Sequence, residues 1–280
     1  MYELLFKQKE VMPFGVIMLH FITYPFTRKK NWIVSDRYDV AGDNGEWMFK
    51  YIRKHNSKKN IYFGLGKNSK DINRMSKYGK VIYFKTIDYY LKYLNSEFVI
   101  SSHIDNYIHK PYGKKQIYVN PFLDRKYVFL QHGVTKDDVS GWLYKYGRYA
   151  DLFICSAKME YDSLLNGCYL YDSDTVKLTG MARYDNLTKN DVKEENLIAL
   201  MPTWRSTLVG SIITGTQGRN YNPKFKESEY YKFYNGLIND KRIIDSLKHN
   251  KYKILFCVHP SLKNQLEDFE GNEYVEMTVY

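Results

Sequence analysis

One histidine stands where a general base would be useful. His132 follows the apolar run Tyr127–Leu130 and Gln131, and it precedes Gly133. A histidine between an apolar strand and a glycine presents an exposed imidazole, and the glycine lets a substrate approach the backbone. Because imidazole titrates near neutrality, His132 is suited to take a proton from an acceptor hydroxyl. The alternative is a histidine that only hydrogen-bonds at a strand terminus.

Two later segments carry groups suited to an anionic ligand. Arg205 and Thr203 lie in PTWR, directly after the apolar run LIALM. A guanidinium keeps its charge and pairs bidentately with phosphate, so Arg205 is a phosphate candidate. His259 follows KILFCV and precedes Pro260, which ends the strand and fixes the next turn. This histidine is suited to donate to a phosphate oxygen, although the His-Pro dipeptide alone is a weak signal.

Further candidates each have a competing explanation. Arg183 in TGMARYD and Lys136 after the glycine are possible phosphate ligands and equally typical of solvated surface. His103 and Asp105 follow the run FVIS and are candidates for the acceptor side of a site. All of these positions follow predicted strands.

The sequence predicts no metal site and no cofactor. Cys155, Cys168 and Cys257 form no CxxC pair, which is typical of reduced cysteines in a cytosolic protein. Asp137-Asp138 suits a metal or a helix cap, and capping is favoured. The segment 64–69 (GLGKNS) lacks the full GxGxxG and Walker spacings, so a strand-to-helix turn is favoured.

The elements that must position these residues form an α/β pattern. Short apolar runs alternate with helical stretches, as in a parallel sheet flanked by helices. The predicted strands are Trp32–Ser35, Ile61–Phe63, Lys80–Phe84, Phe98–Ser101, Tyr127–Leu130, Leu152–Cys155 and Val176–Leu178. The predicted helices are Asn44–His55, Ser69–Tyr78, Thr86–Leu94 and Ala157–Leu165. Ligands bind beyond the carboxyl ends of such strands, where the candidate residues lie.

A second unit follows the polar stretch Leu187–Asn196. Its predicted strands and helices are Leu197–Met201, Glu229–Asn239, Lys241–His249, Lys253–Val258 and Glu273–Met277. Three strands leave sheet edges and an apolar face uncovered, so this domain is predicted to be incomplete. The predicted organisation is a membrane-proximal segment at 1–30, a Rossmann-like domain at 31–190 and a partial domain at 197–280.

Charge favours anionic partners without choosing among them. Lys and Arg total 42 against 31 Asp and Glu, a net charge of +11. Phosphates, nucleic acid and acidic lipid all fit this surplus, and coding bias explains it equally well. No nucleic-acid-binding module is recognisable, so we expect no nucleic-acid partner.

The segment Val11–Phe26 is apolar, and Arg28-Lys29-Lys30 follows it. A spanning helix needs about 20 apolar residues, so an interfacial segment at an anionic membrane surface is favoured over a spanning one. A buried first helix or strand is the alternative.

The ordered set QHG, TGMARYD, PTWR and HP resembles the CDP-glycerol glycerophosphotransferase family, which builds teichoic acids and related capsule polymers. The resemblance implies a GT-B-like α/β fold, with two Rossmann-like domains facing a cleft. It implies that His132 is the catalytic base, that Arg205 and His259 face the donor phosphates, and that Arg183 lies near the cleft. The family's later acidic-Tyr-Ser-Ser segment has no counterpart before Tyr280, which predicts a chain that ends before its donor domain is complete.

The implied reaction transfers a polyol phosphate from a CDP-polyol, such as CDP-glycerol, to a membrane-anchored polymer at the cytoplasmic face of the membrane. The acceptor hydroxyl attacks the β-phosphorus, CMP leaves, and His132 takes the proton. Two other functions stay open at this point. One is a GT-B glycosyltransferase that uses a nucleotide sugar, and the other is an inactive fragment that binds polymer or anionic membrane.

Overall fold

The structure is a computed structural model that describes residues 15, 18, 21, 22, 31–56, 60–120, 125–188, 195–212 and 219–279. The chain divides into two compact units, Met1–Asn190 and Asp191–Tyr280. A parallel β-sheet lies at the centre of each unit. The α/β class predicted from the sequence is confirmed.

Among the described residues, the sheet of the first unit has seven strands. They are β1 Asn31–Ser35, β2 Asn60–Leu65, β3 Lys80–Tyr83, β4 Ser96–Ser101, β5 Lys126–Phe129, β6 Leu152–Cys155 and β7 Val176–Leu178. All pairings are parallel, and the order is β3-β2-β1-β4-β5-β6-β7. The chain first builds outward from β1 to β3 and then returns to place β4 on the other side of β1. The strand order therefore reverses between β1 and β4.

Side chains on both faces of this sheet are buried. Ile33, Val99 and Phe129 belong to one apolar cluster, while their neighbours Val34 and Ile100 belong to another. Because successive residues of a strand point to opposite faces, the two clusters lie on opposite faces of the sheet. The near-continuous apolar runs that predicted these strands are the result of this double burial.

The described helices of the first unit are α1 Asn44–His55, α2 Ile72–Ser76, α3 Ile87–Leu94, α4 Asn106–His109, α5 Gln116–Val119, α6 Ser140–Leu143 and α7 Lys158–Asn166. Helix α1 begins after Asp43, whose side chain accepts from the backbone N–H of Asn44, and it buries Phe49 and Ile52. The helix predicted at Ser69–Tyr78 is shorter. Ser69 donates its backbone N–H to Gly66 O at 3.1 Å and so lies in a turn that precedes α2.

The second unit has a smaller sheet. Its described strands are β8 Leu197–Leu200, β9 Lys253–Val258 and β10 Val275–Val279, in the order β10-β9-β8. Its helices are α8 Glu229–Asn239 and α9 Lys241–Asn250, and a 3₁₀ helix covers Pro260–Asp268. The strand predicted at Glu273–Met277 begins two residues later, because a turn in which Asn272 O accepts from Val275 N precedes it.

Most of the segment predicted to lie at a membrane surface, residues 1–30, is outside the described residues. In the part of the chain that the structure describes, we find no helix with the length and apolar character needed to cross a membrane.

Candidate functional site

The carboxyl ends of β1 and β4 meet where the strand order reverses. Ser35 at the end of β1 donates its hydroxyl to the Ser101 hydroxyl at the end of β4, at 3.1 Å. Ser102 donates to the Asp36 carboxylate at 2.7 Å. In open α/β sheets, the reversal point opens a crevice that binds ligands. The sheet topology therefore places the first candidate site at residues 36 and 102.

Buried Asp36 fixes helix α1 against this crevice. Its carboxylate accepts the backbone N–H groups of Asp43 at 3.0 Å, Gly45 at 2.7 Å and Glu46 at 3.0 Å. Burial raises the pKa of Asp36 to about 6, although its hydrogen bonds from Ser102 and the α1 backbone lower it. A Cβ at Gly45 would lie 2.5 Å from the Asp36 carboxylate. The glycine is therefore required for the helix to approach this closely.

Asn44 joins three segments at the start of α1. Its side-chain amide donates to Gln131 O at 2.6 Å, and its side-chain oxygen accepts from the backbone N–H of Arg183 at 3.0 Å. The Arg183 guanidinium donates to His132 O at 2.8 Å and forms an ion pair with Asp43. These contacts hold the end of β5 and the TGMARYD segment against α1.

The turn that presents His132 has an unusual backbone. Gln131 is buried and has φ 58°, a left-handed conformation that costs a non-glycine residue about 1–3 kcal/mol. Its side chain accepts from the His132 backbone N–H at 2.9 Å and donates to the Thr135 hydroxyl at 3.1 Å. The next part of the loop is fixed by Glu160, which accepts from the Thr135 backbone N–H at 3.0 Å. Contacts from several elements thus maintain the strained turn.

The hydrogen bond of His132 decides which ring nitrogen carries its proton. Nδ1 lies 3.1 Å from Ser102 O, and a carbonyl oxygen only accepts hydrogen bonds. Nδ1 of the neutral ring therefore carries the hydrogen, and the lone pair lies on Nε2. The side chain is exposed, and a Cβ at Gly133 would meet nothing within 4 Å. His132 has the tautomer and the access that a general base requires.

His103 packs against His132. The two rings stack with centroids 4.3 Å apart and an interplanar angle of 14°. Burial lowers the pKa of His103 to about 3, and the charges of His132 and Arg37 lower it further. Arg37 Nε donates to His103 Nε2 at 3.4 Å. His103 is therefore neutral at physiological pH, and its flat ring supports His132 without competing for the proton.

The second unit contains the other histidine of the predicted pair. His259 Nδ1 accepts from the Ser261 backbone N–H at 3.1 Å, so it caps the 3₁₀ helix. In the neutral ring, the hydrogen is then on Nε2, which is a donor. Trp204 stacks on this imidazole with centroids 5.2 Å apart. His259 thus has the tautomer suited to donate to a phosphate oxygen.

Arg205 and Thr203 are exposed beyond the end of β8. One terminal nitrogen of Arg205 donates to the carbonyl oxygens of Thr203 and Trp204, at 3.1 Å each. Since β8 and β9 are neighbours, the PTWR segment and His259 share the carboxyl edge of the smaller sheet. Trp204, which directly precedes Arg205, stacks on the His259 ring and so joins the two segments at this edge.

The remaining candidates lie around the first crevice or on its loops. Asp105 is the N-cap residue of α4 without a side-chain capping bond, and Lys136 is exposed on the loop after Gly133. Asp138 accepts from the Ser140 backbone N–H at 2.8 Å, and this bond lowers its pKa. The N-cap residue of α6 is Val139, so Asp138 binds the first turn from the position before the cap. Within the described ranges, no group of three or more His, Cys, Asp or Glu side chains is arranged to hold a metal ion.

Sequence reasoning missed the residues that position His132, namely Asp36, Asp43, Asn44 and Gln131. A signal for Asp36 was present, since it directly follows the apolar strand β1, as Gln131 and His132 follow β5. The role of Asn44 depends on contacts with Gln131 and Arg183, 87 and 139 residues away in sequence. No local pattern predicts those contacts.

Comparison with known proteins assigns this architecture to a family. Residues 16–279 match the model for CDP-glycerol:poly(glycerophosphate) glycerophosphotransferases. The chain is 43% identical over 263 residues to the minor teichoic acid biosynthesis protein GgaB of Bacillus subtilis (strain 168). That match covers 94% of this chain and 29% of GgaB, so the chain spans less than a third of this relative's length.

Solved structures show a similar fold. The wall teichoic acid polymerase TagF matches with a TM-score of 0.57 and 14% identity, over 96% of this chain and 70% of that chain. A substituted variant of TagF matches with a TM-score of 0.58 and 13% identity, over 95% and 70% of the two chains. At this identity the similarity concerns the fold alone, whereas the family match covers nearly the whole sequence. The chain therefore belongs to the CDP-glycerol glycerophosphotransferase family, as its four separated motifs indicate.

Proposed function

We propose that this chain transfers a polyol phosphate, most simply glycerol phosphate, from a CDP-polyol to the terminal hydroxyl of a teichoic acid or capsule-type polymer. Membership of the family supports the donor and the reaction class. The observation that carries the proposal is the geometry of His132, whose Nδ1 donates to Ser102 O and whose Nε2 lone pair is on an exposed ring.

In the proposed step, the acceptor oxygen attacks the β-phosphorus of the donor. A new oxygen–phosphorus bond forms as the bond to the CMP oxygen breaks, and Nε2 of His132 takes the hydroxyl proton. Ser102 O accepts the hydrogen on Nδ1, so the imidazolium that forms when Nε2 gains a proton is stabilised by this carbonyl. His103 packs against that ring without carrying charge. His103 and Asp105 then belong to the acceptor side.

Arg205, Thr203 and His259 supply the donor-phosphate contacts in this proposal. Arg205 provides a permanent positive charge, and His259 provides a donor on Nε2. Phosphoryl transfer needs charge stabilisation and positioning more than covalent chemistry by the protein. The proposal includes no metal and no cofactor.

The geometry around Arg183 favours a positioning role in place of the phosphate contact expected from sequence. Its guanidinium is engaged by Asp43 and by the backbone carbonyl of His132. Lys136, exposed on the loop after Gly133, stays a candidate for the acceptor phosphates.

We further propose that the protein acts peripherally at the cytoplasmic face of a membrane. The net charge of +11 suits an anionic membrane surface and a polyanionic acceptor. The apolar segment Val11–Phe26 with its basic collar is the proposed contact with the membrane.

The test measures which nucleotide is released. We expect CMP from CDP-glycerol when a glycerol phosphate primer is supplied, and no UDP from a nucleotide sugar. H132A should lose release while its circular dichroism spectrum and melting temperature match those of the wild type. Release of UDP, or unchanged CMP release by H132A, would overturn the proposal.

A chimera gives the test a second readout. Residues 16–279 would replace the matching segment of the relative that is 43% identical to this chain. The chimera should restore minor teichoic acid synthesis in cells that lack that relative, and its H132A version should not. Equal incorporation with and without His132 would contradict the assigned base.

A further inference from the structure

A pocket of about 500 Å³ lies beyond the carboxyl ends of β1, β2 and β3, on the side of β1 away from His132. Two lysines, Lys67 and Lys85, line it. Both are exposed, and no ion pair found among the described residues involves either ammonium group. Lys85 Nζ lies 5.0 Å from the centroid of the Tyr38 ring, a contact that leaves its charge without a carboxylate partner. Two cations that line one pocket and form no such ion pair are suited to an anionic ligand.

The backbone and the glycines shape this pocket. Lys85 has φ 62°, a left-handed conformation that a lysine adopts only when its surroundings maintain it. A Cβ at Gly66 would lie 2.6 Å from the Tyr38 ring, and one at Gly64 would lie 2.7 Å from the Phe84 ring. Gly64 and Leu65 thus end β2, residues 66–69 form the expected turn that leads to α2, and aromatic packing requires both glycines.

The other lining groups are suited to a hydroxylated ligand. Asp39 and Asn68 provide a carboxylate and an amide, which bind hydroxyl groups. Tyr38 and Phe84 stack with centroids 5.5 Å apart and form an apolar wall against which carbon atoms pack. Ammonium groups, hydroxyl-binding groups and an aromatic wall together match a polyol phosphate better than a simple inorganic anion.

This pocket shares the sheet edge with the proposed base. Lys67 follows β2 and His132 follows β5, so their strands are three spacings apart, or about 14 Å at about 4.8 Å per strand. Tyr107 lies between the pocket and the crevice at residues 36 and 102. Its ring packs on Tyr38 of the pocket, and its hydroxyl donates to Asp36 O at 2.9 Å. Arg37, which donates to His103, adds a cation at the end of β1 between them. A polymer whose end lies at His132 has a path along this edge to Lys67.

We infer that the pocket binds a phosphodiester of the acceptor polymer, a few repeat units before the hydroxyl that reacts. The inference rests on the proposed function and identifies where that function holds its acceptor. The ammonium groups of Lys67 and Lys85 bind the phosphate, and Asp39 and Asn68 bind the hydroxyl of the adjoining polyol. The contact lies away from the reacting atoms, so it contributes to acceptor binding and not to the chemical step.

The test uses synthetic glycerol phosphate oligomers of increasing length, titrated calorimetrically into the 280-residue chain. We expect affinity to rise with length until an oligomer reaches the pocket. K67Q/K85Q should lose that rise, with at least about tenfold weaker binding of the long oligomers, because each ammonium is a charged hydrogen-bond partner. Binding of a single glycerol phosphate should not change.

A matched control removes the same charge elsewhere. Lys77 and Lys80 are exposed at the opposite, amino end of β3, and K77Q/K80Q should bind oligomers as the wild type does. Equal loss in both double variants would mean that overall charge alone matters, and no oligomer binding by the wild type would overturn the pocket assignment. CMP release separates the two proposals. If CMP is released and K67Q/K85Q binds oligomers as the wild type does, the pocket assignment is rejected and the transferase activity stands. If oligomer binding depends on the two lysines but no CMP is released, the pocket assignment stands and the transferase activity is rejected.

Discussion

The two units each place a histidine after a buried parallel strand, and the two rings are held in opposite tautomers. In the first unit, a backbone carbonyl, Ser102 O, faces Nδ1 of His132. In the second unit, a backbone N–H, that of Ser261, faces Nδ1 of His259. The first ring therefore presents a lone pair on Nε2, and the second presents a hydrogen there. One residue type in one kind of position thus becomes a base or a donor, depending on which backbone group it meets.

The two histidines are also held over different sequence distances. His259 is fixed locally, by a bond to the residue two positions later and by the following Pro260. His132 depends on Asn44, Ser102 and Arg183, and each of these is at least 30 residues away. We expect the base to be sensitive to changes throughout the first unit and the donor to be sensitive only to its own turn.

The role of His132 as a base is tested by a substitution that removes the basic nitrogen and keeps the hydrogen bond to Ser102 O. The amide of H132N is suited to donate to Ser102 O but offers no basic nitrogen. We expect kcat for CMP release to fall about 10²- to 10⁴-fold, the usual contribution of a general base. Stopped assays at saturating donor and acceptor give the rate, and thermal melting checks the fold. A variant that keeps a tenth or more of the wild-type kcat would remove His132 from the role of base.

The matching change in the second unit separates capping from donation. H259N keeps an acceptor for the Ser261 N–H, since asparagine is a good N-cap, but it loses the donor on Nε2. H259Q extends an amide donor toward the position of Nε2 and loses the cap. We expect H259N to melt as the wild type does and to release CMP about 10- to 100-fold more slowly, the effect of losing one hydrogen bond to a charged group. Higher activity in H259N than in H259Q would show that capping is its whole role.

Arg183 tests whether long-range contacts position the base. R183Q removes the ion pair to Asp43 and weakens the bond to His132 O. If Arg183 positions His132, kcat should fall about tenfold while the KM for the donor stays the same. The expectation from sequence, a phosphate contact, predicts instead a raised donor KM. Initial rates over a range of CDP-glycerol concentrations distinguish the two, and R183K serves as the charge-conserving control.

The sequence predicted those features that depend on local pattern. The strands of both sheets were recognisable from the sequence, and in the large sheet burial on both faces makes the central strands rich in apolar residues. The strand-end rule then identified His132, Arg205 and His259. It also applied to Asp36, which directly follows β1 and was not singled out.

What escaped prediction depends on contacts between distant segments. The left-handed backbone of Gln131 is maintained by Asn44 and Thr135, and nothing in the letters QHG reveals it. The tautomer of His132 depends on Ser102, which β4 carries to that position. The stacked partner His103 was named as an acceptor-side residue, but its neutral state follows from burial, which spacing does not report. Residue types thus identified the reactive groups, and only the fold identified the residues that hold them in place.

The last and smallest effect concerns acid stability, which should differ between the units. Burial lowers the pKa of His103 to about 3 and that of His109 to about 4, while burial raises the pKa of Asp36 to about 6. All three groups lie in the first unit. Below pH about 6.5, the unfolded chain protonates both histidines and the folded chain does not, so stability falls as the pH falls. Asp36 acts in the opposite direction, because below pH 6 the folded chain holds a proton there that the unfolded chain has lost.

Near pH 5, two histidine protons favour the unfolded state and one Asp36 proton favours the folded state. The net excess of about one proton predicts a loss of about 1.4 kcal/mol per pH unit. Urea titrations between pH 7 and 4.5 give this slope, with fluorescence from Trp32, Trp47 and Trp142 reporting the first unit once W204F removes the tryptophan of the second. H109Q keeps a donor for Tyr149 O, to which His109 Nε2 now donates at 2.9 Å, and does not titrate, so its slope should be close to zero. A wild-type slope that persists in H109Q would mean that acid acts elsewhere.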